Sequence, residues 1–182
     1  MPPSRRALLQ GALALAALPP AALPPAARAH TPYGQWVAYR QKHLMVGAHR
    51  GDGRTYDLAR RVVATLDAEL PEARARVARG PRPQRIASLM GTGQIRLAVL
   101  HAAEAARMAA AEPPFDGYRP VPLTTIAALT DGYALYAAPG LPPDHAWLVA
   151  RAAGHGGIGH AGPPGFPPHP GAAAFWAGEA MP

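Results

Sequence analysis

The sequence predicts an α/β domain with a mostly parallel sheet and flanking helices, and three observations lead there. Short apolar runs alternate with amphipathic stretches of helical period from Leu44 to Leu129. Glycine and proline fall at the joints between them. The order strand, helix, strand, helix, strand, helix at this spacing implies right-handed crossovers between parallel strands.

Taken in order, residues 30–42 form a polar N-terminal arm with Tyr33, Trp36 and Tyr39 three residues apart. His43 to Ala48 is a compact apolar run, and His49 to Arg54 is a charged loop holding Gly51 and Gly53. Thr55 to Leu70 places Leu58, Val62, Val63, Leu66 and Leu70 on one helical stripe, and Pro71 stops it. Ala73 to Ala78 alternates arginine with small apolar residues, the period of a strand near a sheet edge. After the Gly80-Pro81 break, Pro83 to Thr92 reads as a helix closed by Gly91 and Gly93. Gln94 to Leu100 reads as a buried strand and His101 to Glu112 as a helix. A loop with Pro113, Pro114, Pro120 and Pro122 precedes two more apolar segments, Leu123–Leu129 and Tyr133–Ala138. The domain of residues 43–153 ends in a helix from Pro143 to Ala153. Residues 154–182 read as a tail rich in Gly, Pro and His, irregular as far as Pro170, with a short terminal helix after it.

The first 29 residues read as an export signal. Ser4-Arg5-Arg6 precedes Leu8-Leu9 and an apolar run, and Ala27-Arg28-Ala29 is a small-x-small site, so cleavage is expected after Ala29. The pattern resembles the bacterial twin-arginine motif and implies a periplasmic protein exported folded. The apolar stretch is short and broken by Pro19-Pro20, which disfavours a membrane anchor. Loss of Arg5, Arg6 and Arg28, with no acid among these residues, takes the formal net charge from +7 to +4. That mild charge, spread along helices among acids, speaks against a nucleic-acid partner. Absence of cysteine excludes disulfides, thiolate metal sites and thiol catalysis.

The order of several short motifs resembles a known family. Leu44–Ala48, the Gly-rich loop with Thr55-Tyr56, the stripe Ile86, Leu89, Gly93, Ile95 and the strand Leu97–Leu100 look like the first lobe of TAXI-type solute-binding proteins of TRAP transporters. Phe115-Asp116-Gly117, Thr125–Leu129 and the ending His169-Pro170-Gly171-Ala172 with Phe175 and Trp176 are similar to the same family. The resemblance implies one lobe of a type II periplasmic binding protein, a small organic anion as ligand and TRAP membrane subunits as partners. The chain passes from Ala138 through residues 139–142 almost directly into the last helix, where the family has a second lobe. The exposed lobe face then becomes a place for a protein partner, another copy of the chain included.

In an open α/β sheet, ligands sit beyond the carboxyl ends of strands, near helix starts. That places candidate ligand contacts at Arg50, Gly51, Gly53, Arg54, Thr55 and Tyr56, with Gln84 and His101 on the neighbouring loops. Glycines free backbone N–H groups there and two arginines stand beside them, the chemistry of an anion site. The plainer reading is a Gly-rich turn capped by Thr55. An alternative from another class is a periplasmic metal-binding accessory using His155, His160 and His169, although their spacing matches no common ligand pattern. Ser88 is the only serine after Ala29 and sits in a predicted helix without a nucleophile elbow. No catalytic constellation is legible, so the expectation is a binding protein rather than an enzyme, without a cofactor.

Overall fold

The computed structural model describes residues 39–162 and 165–182. The segment expected to be an export signal and most of the N-terminal arm lie outside the described residues; of the arm, residues 39–42 are helical. The elements that follow are β1 (Met45–His49), α1 (Gly53–Glu69), a 3-10 turn (Pro71–Ala73), β2 (Arg76–Gly80), α2 (Pro83–Gly91), β3 (Leu97–His101), α3 (Ala102–Ala110), β4 (Thr124–Ala128), β5 (Tyr133–Ala137), α4 (Pro143–His155) and α5 (Pro170–Trp176). No helix among the described residues is long and apolar enough to cross a membrane.

The strands form one five-stranded sheet in the order β2-β1-β3-β5-β4. β1 pairs in parallel with β2 and β3. β5 pairs antiparallel with both β3 and β4. The sheet is therefore mixed, which corrects the expectation of a mostly parallel one. The cause is local. Tyr133 N–H donates to the Thr130 carbonyl at 2.9 Å, and Asp131 and Gly132 between them hold φ values of 50° and 78°. Two left-handed central residues in an Asp-Gly step make a tight hairpin turn, so β5 folds straight back along β4.

Alternation along the strands divides the core into two layers. Val46, Leu97, Val99 and Leu135 pack with Leu58, Val62 and Leu66 of α1 and with Ala146, Val149 and Ala150 of α4. Ala98, Leu100, Ala134 and Tyr136 face Ile86 and Met90 of α2, Met108 of α3 and Phe115. Gly47 in β1 lets the second layer pack directly onto the sheet, because a Cβ there would stand 2.7 Å from Ile95 Cδ1.

β2 does lie at a sheet edge, but it starts later than its arginine alternation suggests. The 3-10 turn after Pro71 and the left-handed Arg74 (φ 45°) use up the first residues of that run. Similarly, α3 begins only after His101, which ends β3 and caps the helix.

At the opposite edge, the stretch from Gly156 onward is tied to β4. Ala128 N–H and His160 N–H exchange hydrogen bonds with each other's carbonyls at 2.9 and 3.1 Å. Thr125 N–H donates to the Pro167 carbonyl and His169 N–H to the Thr125 carbonyl, each at 2.9 Å. Glycine permits the close approach: a Cβ on Gly159 would meet that of Ala127 at 2.9 Å.

Candidate functional site

The carboxyl ends of β1, β2 and β3 and the start of β5 come to one end of the sheet, where their loops carry most of the domain's clustered polar side chains. β1 delivers His49, which is only 3% exposed. Its Nε2–H donates to Glu104 Oε2 of α3 at 3.0 Å, and its Nδ1 is buried without a partner. That bare nitrogen faces Gly51: a Cβ on Gly51 would stand 3.1 Å from it and 3.8 Å from Cδ of Pro83, the first residue of α2. The loop after β1 and the start of α2 thus lie side by side, joined by Arg50 N–H donating to the Gly80 carbonyl at 3.0 Å.

Asp52 caps α1. Its carboxylate accepts from Arg54 N–H and from the Thr55 hydroxyl, both at 2.9 Å, and from the Tyr133 hydroxyl of β5. Desolvation pushes the Asp52 carboxyl up, but the hydrogen bonds from Tyr133, Thr55 and Arg54 N–H together hold it below its ordinary value. Conversely, donation to Asp52, then burial and the charge of Asp52, push the Tyr133 phenol up to about 12. The Tyr133 ring carries the His101 ring edge-on at 5.1 Å, and the Arg54 guanidinium lies 5.9 Å from its centre.

The residues expected from sequence fall into two groups. Arg50, Gly51, Gly53 and the α2 start with Gln84 belong to the open junction. Arg50 and Arg82 are exposed there and form no ion pair among the described residues. No side chain caps α2, and Gln84 Oε1 is buried without a partner. The second group is committed to the fold. Thr55 is fully buried, bonds Asp52 and does not cap the helix. Arg54 pairs with Asp131, His101 Nδ1 accepts from Ala103 N–H at 3.3 Å, and Tyr56 lies 4.5 Å beneath the Arg79 guanidinium. An anion at the α1 start meets Asp52 already seated there. The available donors are those nearer α2.

Sequence reasoning places His49 and Glu104 at the ends of candidate loops without singling them out as site residues, and it missed Tyr133. Strand ends that carry His or Tyr beside a helix start were the available signal, but His49 and Glu104 are 55 residues apart and only the sheet brings them together.

His155, His160 and His169 do not share a centre with other ligands: among the described residues no group of three or more His, Asp or Glu could hold a metal ion. His155 is an exposed residue at the end of α4, and His160 bridges to β4 by its backbone. Both ring nitrogens of His169 are used by the chain. Nε2–H donates to the Leu141 carbonyl at 3.1 Å, and Nδ1 accepts from Gly171 N–H at 3.3 Å. Burial holds its pKa below the ordinary value, against the pull of the Leu141 bond. No family model, curated protein or solved structure matches the chain.

Proposed function

We propose that the protein is an exported, non-catalytic domain that binds a small organic anion at the junction of the loops after β1 and β2. The observation that carries this is the junction where the loop after β1 lies against the start of α2, with Arg50 and Arg82 exposed and outside any ion pair among the described residues. At the start of α2, Pro83 has no N–H and Arg85 N–H donates to the Arg82 carbonyl, so the Gln84 N–H is the helix-start donor nearest where a carboxylate would dock. In this reading the domain is one lobe resembling a type II periplasmic binding protein, serving a TRAP-type uptake system. Four strands that run the same way, with α1 and α2 crossing over from β1 to β3, support it.

Calorimetry of the purified chain with a panel of mono- and dicarboxylates tests the site. Arg50→Ala and Arg82→Ala should each weaken binding about ten- to hundredfold, the loss of one charge-assisted partner. No heat with any member of the panel, together with a stable dimer, would replace the anion by a protein partner on this face.

A further inference from the structure

The two edges of the sheet differ: one is paired by a later segment of the chain and the other has no partner strand among the described residues. β4 is covered along its outer side by residues 160 and 167–169. Nothing among the described residues pairs with the outer side of β2. In a parallel ladder, alternate residues turn their backbone groups to the same neighbour. Arg76 N–H donates to the Leu44 carbonyl at 2.9 Å and Arg50 N–H to the Gly80 carbonyl at 3.0 Å, with Ala78 opposite Gly47 between them. Arg76, Ala78 and Gly80 therefore bond β1, and the N–H and C=O groups of Val77 and Arg79 point outward.

Beside this edge lies a groove of about 890 Å³ lined by Met45, Val77, Ala78 and Leu89, with Tyr39 and Arg40 of the helical arm and the exposed Arg79 and Arg85 around it. Arg74, Arg79 and Arg85 form no ion pair among the described residues. Charged edge residues also discourage sheet-to-sheet association, yet that purpose needs no apolar groove. Residues 1–38 contain no Asp or Glu, so they cannot neutralise these arginines, and a second copy of this basic chain meets like charge.

We propose that the β2 edge docks an extended acidic segment of another protein, added as a sixth strand. Its backbone bonds Val77 and Arg79, the carboxylates on one face meet Arg79, and the alternate apolar side chains on the other face enter the groove beside Met45 and Leu89. A nucleic acid offers the charge without the backbone pattern.

The probe is the capped peptide acetyl-Glu-Val-Glu-Val-Glu-Val-amide, titrated into the full chain and followed by amide hydrogen exchange. Exchange at Val77 and Arg79 should slow about tenfold or more, and rising salt should weaken binding. Val77→Pro removes one outward donor without touching the bonds to β1, and affinity should fall about tenfold. Arg79→Gln should lower the affinity further and reduce the salt dependence. Unchanged exchange at Val77 and Arg79 in the unsubstituted chain overturns the proposal even if Val77→Pro fails to fold. Equal binding of the Lys-for-Glu peptide, or tighter binding of a single-stranded oligonucleotide, overturns it as well.

Discussion

Replacing Asp52 by alanine removes the acceptor shared by three donors from two elements. Losing a helix cap costs about 0.5–2 kcal/mol. The Thr55 hydroxyl, fully buried, is left without its acceptor at about 1–3 kcal/mol. Together these give a loss of about 1.5–5 kcal/mol, or about 3–20 °C in Tm for a domain of this size. Asp52→Asn keeps an oxygen for Arg54 N–H and an amide that both hydroxyls can turn to meet, so it should cost less than Asp52→Ala. The pH dependence separates charge from cap. Because the folded Asp52 pKa lies below its unfolded value, its charge stabilises the fold fully above the unfolded pKa, and that contribution disappears as pH falls through the folded pKa. Urea unfolding followed by tryptophan fluorescence at pH 7 and at successively lower pH reads both effects. The asparagine form should lack the part of the acid-induced loss that belongs to Asp52. An Asp52→Ala loss below about 0.5 kcal/mol, the level of an ordinary surface change, refutes the capping network.

Two further outcomes follow from contacts at the other end of the chain. Deleting residues 157–168 removes three of the four hydrogen bonds on the outer edge of β4, the fourth coming from His169, and should cost about 1.5–4.5 kcal/mol in chemical denaturation; a loss within about 1 kcal/mol would mean that the segment covers the edge without stabilising it. His169 has a folded pKa below the ordinary 6.5, so the fold should lose stability as pH falls from 6.5 through the folded value. His169→Gln should flatten that slope, and an unchanged slope places the effect on another histidine.

Much of the fold was legible because it rests on local rules. The α1 stripe Leu58, Val62 and Leu66, the stop at Pro71 and the start of α2 at Pro83 depend on a few neighbours in sequence and hold in the structure. The reversal of β5 was also written locally, in Asp131-Gly132, but helix-strand alternation elsewhere suggested a parallel sheet. At the candidate site, the glycines and Arg50 could be placed by their position after β1. What could not be read was which polar groups would be consumed by partners distant in the chain: Asp52 by Tyr133, 81 residues away, and His49 by Glu104.

The sequence by itself determined the order of elements, their apolar faces and the position of the loops at the strand ends, since periodicity and the stereochemistry of Gly and Pro act over a few residues. Only the tertiary structure decided which edge of the sheet is covered, which loop keeps free donors and which histidine is buried with one nitrogen bare. Those outcomes depend on pairings between strands and helices tens of residues apart, where burial of each polar group is set by neighbours that no local pattern names.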